Sequence, residues 1–286
     1  LYCVWPFWSR ATAAGTEPMI ASAGYVQALL AREGLRPNKN LGQNFFIDGE
    51  RLQRLLSPVE LEGRPVLEIG PGLGALTEVL LSRGARVWAV EKDPRMAALL
   101  REALGNHSAL TILEGDCLKT DYGFLPPGYV AAGNLPYCIT TPIVEMLLAM
   151  EPEEMLLMMQ KEAADRFFTR PGEKNYGPVA MVSALYYESR LLGEIPEGAY
   201  LPPPAVKSAL VQLIRRPDAP PESPAALLRF GAQCLHMRRK TLYNNLSAFP
   251  QVPEHLESMG LPPGIRGEKL SPRELLTLYR LLEKQA

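Results

Sequence analysis

The sequence predicts an α/β protein with a mainly parallel sheet, followed by a small domain made only of helices. Three observations predict this fold class. Short apolar runs alternate with helix-length segments from residue 64 to 150, a segment with four prolines at 215–224 interrupts the pattern, and every later segment has helical periodicity. Strands separated by helix-length connections pair in parallel, with helices on both faces of the sheet. A chain of 286 residues can bury one large core and a smaller one.

The elements of the larger domain are short apolar runs and helical patterns in alternation. The predicted strands are 65–69, 85–90, 109–113, 129–133 and 155–159. The predicted helices are 74–82, 94–104, 161–170 and 178–187. Apolar residues alternate at period two within 205–216, which predicts an antiparallel strand at the edge of the sheet.

The C-terminal domain is predicted to be helical throughout, with helices at 225–234, 238–246, 253–259 and 272–283. Ser271 and Glu274 form a capping box at the start of the last helix. We therefore predict an N-terminal extension and helix at 1–37, an α/β domain at 38–216 and a helical domain at 217–286. Residues 1–18 match a secretory signal and a transit peptide poorly, and because Met19 follows them we expect a misplaced start or an added extension.

Composition indicates a soluble globular protein, with 47% hydrophobic and 21% charged residues. Its longest apolar runs fall far short of the roughly 20 residues of a membrane span. The cysteines and histidines are too scattered for a disulfide framework or a zinc site: Cys3, Cys117, Cys138, Cys234, His107, His236 and His255. We expect a reducing, cytoplasmic location.

Positive charge is concentrated locally, although the formal net charge of the chain is −1. Residues 207–245 contain seven Lys or Arg and two acids. On charge alone, a solvated helix face and a phosphate-binding surface are equally good interpretations of this patch.

A glycine-rich turn joins the first predicted strand of the sheet to the following helix, in VLEIGPGLGALTEVL at 66–80. Gly70, Gly72 and Gly74 allow a ligand to approach the backbone closely at a helix N-terminus. The same segment also satisfies the dinucleotide fingerprint, and Glu91 follows at the distance of a ribose-binding acid. Binding of NAD and binding of S-adenosylmethionine are therefore both open at this point.

Three features favour S-adenosylmethionine. Glu68 in the first strand would repel a pyrophosphate but attract a cationic amino-acid tail. Asp116 follows the third strand, where it can accept a hydrogen bond from an adenine amino group. The tetrapeptide Asn-Leu-Pro-Tyr follows the fourth strand, at the sheet edge where ligands of such sheets collect.

This tetrapeptide, residues 134–137, is suited to methylation of an adenine amino group. The side-chain oxygen of Asn134 and the carbonyl of Leu135 can hold the two N6 hydrogens, so that the nitrogen lone pair faces the methyl donor. Pro136 fixes the backbone, and Tyr137 can stack on the base. The base must leave its stack to enter, so single-stranded or flipped adenine is expected.

Several segments together resemble the ribosomal RNA adenine dimethyltransferase family, in its bacterial small-subunit branch. They run from about residue 38 to the C-terminus: NKNLGQNFFID, VLEIGPGLGALTEVL, VEKDPRM, EGDCLKTDY, GNLPYCITTP, QKEAADRFFTRPGEKNYGP, YLPPPAVKSALVQL, RRKTLYNNL and LSPRELLTLYR. The resemblance implies a Rossmann-like S-adenosylmethionine-dependent methyltransferase sheet. It implies that two adjacent adenines in the 3′-terminal hairpin loop of 16S rRNA each receive two N6 methyls, with S-adenosylhomocysteine as product. It also implies a monomer acting on the assembling 30S subunit without a metal or a membrane.

The resemblance assigns roles residue by residue. It assigns cofactor contacts to Asn44, Phe46, Gly70, Glu91, Asp116 and Asn134. It assigns contacts with the target base to Asn134, Leu135, Pro136, Tyr137 and Tyr200. Tyr200 stands where the family has Phe and adds a hydroxyl that needs a partner. Lys207 replaces an expected acid, and Cys138 replaces an Asn. Phosphate contacts are expected at Arg36, Lys39, Arg238, Arg239 and Lys240.

Three alternatives remain open. One is a 23S rRNA adenine methyltransferase of the macrolide-resistance type, which shares the N-terminal half. Another is a ribosome-assembly factor whose binding matters more than its methylation. The third is an NAD-dependent oxidoreductase, suggested by Gly70, Gly72 and Ala75.

Overall fold

The computed structural model describes residues 20–37 and 43–283. The chain separates into two compact units, one with Leu1–Leu125 and Pro196–Ala205, the other with Pro126–Ile195 and Val206–Ala286. The predictions for residues 1–18 and Lys39 lie outside the described residues. The predicted domain boundary after residue 216 stays a prediction.

The described elements are helices and short strands, and helices alone follow the last strand. The helices are α1 (Ala23–Arg32), α2 (Gly49–Leu56), α3 (Ala75–Ser82), α4 (Pro94–Leu104), α5 (Thr140–Met150), α6 (Lys161–Asp165), α7 (Pro178–Tyr186), α8 (Pro224–Cys234), α9 (Leu242–Asn245), α10 (Val252–Ser258) and α11 (Pro272–Glu283). The strands are β1 (Phe45–Phe46), β2 (Pro65–Ile69), β3 (Arg86–Glu91), β4 (Leu110–Glu114), β5 (Val130–Asn134), β6 (Glu154–Gln160), β7 (Tyr187–Ile195), β8 (Tyr200–Leu201) and β9 (Ser208–Arg215).

In the first unit, β2, β3 and β4 form parallel pairs, with β3 between the other two. The predicted strands and the helices α3 and α4 are therefore confirmed there. The Asp93 side chain accepts a hydrogen bond from the Arg95 N–H and caps α4. The antiparallel pair of β1 and β8 was not predicted, because two-residue strands show no periodicity.

In the second unit, the strand order is β5-β6-β9-β7. β5 and β6 are parallel, whereas β9 is antiparallel to both β6 and β7. The prediction of an edge strand at 205–216 is wrong, since β9 lies between two neighbours. β7 was missed because its exposed polar residues and its irregularity between Leu191 and Gly193 hide the alternation of a strand.

The helices α8 to α11 pack around a shared apolar core that includes Phe230, Leu256 and Leu275. The predicted capping box is confirmed, because the Ser271 N–H donates to Glu274 Oε2 at 2.7 Å and the Glu274 N–H donates to Ser271 Oγ at 3.2 Å. The predicted helix at 238–246 is shorter. It begins after Thr241, whose side chain accepts from the Asn244 N–H and so sets the N-cap.

None of the helices among the described residues has both the length and the apolar character needed to cross a bilayer.

Candidate active site

The glycine-rich turn of the first unit lies between β2 and α3. Gly72 has a φ of 56°, and its N–H donates to Glu91 Oε2 at 3.0 Å. Gly74 has a φ of 95°, and a Cβ there would lie 2.7 Å from Leu100 Cδ1. Only glycine meets both the backbone and the packing requirement at residue 74. The turn is thus held against α4 on one side and bonded to the end of β3 on the other.

Glu91 has its carboxylate fixed by two backbone donors. Oε2 accepts from the Gly72 N–H, and Oε1 accepts from the Asp93 N–H at 2.8 Å. The side chain is buried, and this burial raises its pKa, while the two N–H donors act in the opposite direction. Each carboxylate oxygen has two lone-pair sites, so both oxygens keep capacity for a ligand hydroxyl. This geometry fits the predicted ribose contact.

Asp116 lies in the turn after β4 and is more exposed than Glu91. Its Oδ2 accepts from Lys92 Nζ at 2.9 Å, and its Oδ1 accepts from the Leu118 N–H at 3.1 Å. The hydrogen bond from Lys92 is the main reason that the pKa of Asp116 is lowered. The carboxylate is therefore charged and can accept a further bond from a ligand amino group.

Glu68 is enclosed in the protein and is not presented to a ligand. It is 1% exposed, and its Oε2 accepts from Thr77 Oγ1 at 2.7 Å. Burial raises its pKa to about 8. The expectation that Glu68 faces a cationic ligand tail is not supported. Instead, its hydrogen bond links β2 to α3, the two elements that the glycine turn joins.

We expect Glu68→Gln to stabilise the protein at alkaline pH. Because the folded pKa of about 8 exceeds the unfolded value of 4.5, wild-type stability falls as pH rises between these values. The amide has no proton to lose and can still accept from Thr77. Urea unfolding should show the variant more stable by up to about 5 kcal/mol at pH 8.5. The difference should disappear near pH 4.5, and an equal difference at both pH values would contradict this account.

The predicted aromatic residues of the first unit meet in the β1–β8 pair. Phe46 lies opposite Tyr200 in register, and their ring centroids are 5.2 Å apart at an interplanar angle of 81°. Tyr200 is 2% exposed. Asn44 directly precedes β1 and is half-buried. Tyr200 is thus packed edge-on against Phe46, and a stacking role would require one of its faces to open. The roles of these three residues stay predictions.

In the second unit, the Asn-Leu-Pro-Tyr turn is fixed at several points. Asn134 ends β5 opposite Met158, and the Leu135 N–H donates to the Met158 carbonyl at 2.8 Å. The Pro136 carbonyl accepts from Thr140 Oγ1 at 3.0 Å and from the Ile139 N–H at 3.1 Å. The backbone on both sides of the Leu135 carbonyl is therefore held in place, as the sequence predicts for a rigid turn.

Tyr137 is half-buried, and its hydroxyl lies 2.7 Å from Ser208 Oγ on β9. Burial raises the pKa of the phenol, so the hydroxyl stays protonated at neutral pH. Ser208 was not predicted as a residue of this site. The available signal was a lone hydroxyl at the start of a buried apolar strand.

The predicted phosphate-binding residues differ in how strongly they are engaged. Arg238 Nε lies 3.2 Å from Glu268 Oε2, and Arg238 Nη1 donates to the Lys174 carbonyl at 2.8 Å. Arg239 and Lys240 are exposed on the same turn. Arg238 therefore connects parts of the second unit, whereas its two neighbours are accessible to a phosphate.

We expect Arg238→Ala to affect the stability of the fold and Arg239→Ala to affect RNA binding. Arg238→Ala should lower the free energy of unfolding by about 1–2 kcal/mol, because it removes bonds to a carbonyl and a carboxylate. Arg239→Ala should leave the melting temperature unchanged and weaken RNA binding, with a shallower salt dependence. Melting curves and filter binding at several salt concentrations measure both effects. Equal destabilisation by the two substitutions would refute this distinction.

Comparison with known proteins identifies the family. A protein-family model described as ribosomal RNA adenine dimethylase matches residues 34–284 of the chain. The chain belongs to the ribosomal RNA adenine dimethylase family. The resemblance in the sequence motifs is thereby confirmed, and the matched region includes the turn at 134–137.

Relatives of the chain within this family match nearly its full length. One is the ribosomal RNA small subunit methyltransferase A of Deinococcus radiodurans, 40% identical over 90% of this chain and 89% of that protein. Another is the protein of the same name from Natranaerobius thermophilus, 36% identical over 90% of this chain and 95% of that protein.

Solved structures give the same fold. A dimethyladenosine transferase from Plasmodium falciparum covers 82% of this chain and 96% of its own, with 23% identity and a TM-score of 0.70. The 23S rRNA methyltransferase ErmE covers 84% of this chain and 100% of its own, with 29% identity and a TM-score of 0.62. The predicted fold class, a Rossmann-like S-adenosylmethionine-dependent methyltransferase, is therefore confirmed.

Proposed function

We propose that the chain dimethylates N6 of two adjacent adenosines in the 3′-terminal hairpin loop of 16S rRNA, with S-adenosylmethionine as donor and S-adenosylhomocysteine as product. The observation that carries this proposal is the nearly full-length similarity to proteins named small subunit methyltransferase A. The turn at 134–137 supports the chemistry. The substrate would be an assembling 30S subunit, the enzyme a cytoplasmic monomer, and no metal would take part.

The first unit carries the groups that suit the cofactor. S-adenosylmethionine, when bound, supplies a methyl group on a positively charged sulfur. Glu91 would accept both ribose hydroxyls, since two backbone donors already fix its orientation. Asp116 would accept from the adenine amino group while keeping its bond to Lys92. The backbone at Gly70, together with Asn44 and Phe46, would complete the contacts.

The second unit carries the groups that suit the target base. The Asn134 side-chain oxygen and the Leu135 carbonyl would accept hydrogen bonds from the two N6 hydrogens of an unmodified adenine. The lone pair of N6 would then point out of the plane of the base. Because Leu135 and Pro136 are anchored by backbone and Thr140 hydrogen bonds, this acceptor pair needs little reorganisation. S-adenosylmethionine would supply the methyl group to N6, and this acceptor pair would hold N6 so that its proton can pass to water after the transfer. No strong general base is needed.

RNA affinity would come from exposed basic residues, with specificity set by the base-binding turn and by RNA shape. Arg36, Arg239 and Lys240 are exposed. Phosphate contacts of this kind add affinity that falls with salt and carry no sequence information.

The experiment that tests the proposal offers undermethylated 30S and 50S subunits to the protein together, with radiolabelled S-adenosylmethionine. We expect label in 16S rRNA. Label in 23S rRNA alone would support the second candidate, a 23S methyltransferase, which is favoured by the structural likeness to ErmE. Calorimetry with S-adenosylhomocysteine and NADH addresses the oxidoreductase alternative, which preferential NADH binding would support.

The assembly-factor alternative is tested in cells. If the Asn134→Ala protein lacks methyltransferase activity but fully rescues the growth defect of a strain without the gene, binding is the primary role.

A further inference from the structure

Ser208 is a fixed anchor at the first position of β9. It is 0% exposed. In register, it lies opposite Gln160 on β6 and Ile195 on β7, so its backbone is held by a neighbouring strand on each side. Its Oγ lies 2.7 Å from the Tyr137 hydroxyl. A serine in this position can move only by rotating about one side-chain bond.

Tyr137 is the other end of this contact. It begins a single turn of 3₁₀ helix, Tyr137–Ile139, directly after Pro136. The Tyr137 hydroxyl lies 2.7 Å from an atom of the fully buried Ser208, whereas Tyr137 as a whole is half-buried. The hydroxyl is thus engaged in a hydrogen bond within the protein.

We propose that Ser208 is a positioning residue that tethers the Tyr137 hydroxyl and so holds the Tyr137 ring in the orientation that stacks on the target adenine. This inference rests on the proposed function. A tyrosine side chain has two main rotatable bonds, and a hydrogen bond at its tip restricts both. The tether therefore orders the ring before the base arrives, which lowers the entropic cost of reaching a reactive geometry. The phenol stays protonated and takes no proton from N6.

The test uses two single variants, their double variant and one control, all assayed on undermethylated 30S subunits. Ser208→Ala and Tyr137→Phe remove the tether from its two ends, and the double variant removes both ends. Ser183→Ala is the control, since Ser183 is also fully buried in the second unit and its hydroxyl donates to a helix carbonyl, that of Ala180, at 3.3 Å. Each variant is also assayed for melting temperature and for affinity to S-adenosylhomocysteine.

We expect each tether variant to lower kcat by about tenfold, with cofactor affinity unchanged. The double variant should be no slower than the slower single variant, because the same bond is lost in all three. A larger share of monomethylated adenine should accumulate, and Ser183→Ala should behave as wild type.

Wild-type kcat in Ser208→Ala, or multiplying losses in the double variant, would overturn the inference. Tyr137→Phe leaves Ser208 in place, so it keeps the test decisive if Ser208→Ala unfolds. An inactive wild-type protein would overturn the proposed function instead, and the two failures are thus distinguishable.

Discussion

Asn134→Ala is expected to lower kcat for methyl transfer at least about 10³-fold, because a preorganised acceptor aimed at the reacting nitrogen is lost. Asn134 ends β5, and the next residue is held by the Met158 carbonyl, so the backbone should stay in place without the side chain. Affinity for S-adenosylhomocysteine should fall much less than kcat. Single-turnover assays on 30S subunits and calorimetry measure the two quantities.

Asn106→Ala, in an exposed turn after α4, is the matched control and should retain full activity. A kcat of Asn134→Ala within tenfold of wild type would show that another group positions N6. An equal loss of kcat and cofactor affinity would place Asn134 chiefly in the cofactor site.

Glu91→Gln is expected to weaken S-adenosylhomocysteine binding roughly 10- to 100-fold, through loss of charged hydrogen bonds to the ribose. The substituted amide would also turn its NH₂ group toward one of two backbone donors, the N–H of Gly72 or of Asp93. The substitution would therefore disturb the orientation of the side chain and also remove its charge. Calorimetry at neutral pH measures the effect.

Glu68→Gln is the matched control for this prediction. Both residues are glutamates on neighbouring strands of the first unit, but Glu68 bonds to Thr77 inside the protein. Its substitution should leave cofactor affinity within about twofold of wild type. A comparable loss in both variants would mean that Glu68 also faces the ligand.

Most of the parallel strands could be predicted from sequence because their determinants are local. The apolar runs that became β2 to β6 are bounded by turn residues, and the capping box of Ser271 and Glu274 spans four consecutive residues. The glycine turn could be placed for the same reason. Strand β9 was found but assigned to the edge, since its neighbour β7 carries too many exposed residues to show a pattern.

The side-chain partners in the site could not be predicted, because they depend on residues far apart in the chain. Tyr137 and Ser208 are separated by 71 positions. Arg238 is bonded to carbonyls and to Glu268, which local charge counting does not reveal. Glu68 was assigned to a ligand from its charge, whereas its direction on β2 turns it toward Thr77 on α3.

The most direct test of the central claim maps the product at nucleotide resolution. Wild-type protein is incubated with S-adenosylmethionine and 30S subunits that lack the modification, and the 16S rRNA is digested and analysed by mass spectrometry. We predict two adjacent adenines near the 3′ end, each carrying two methyl groups on N6. Methylation of 23S rRNA alone, or of an atom other than N6, would contradict the account.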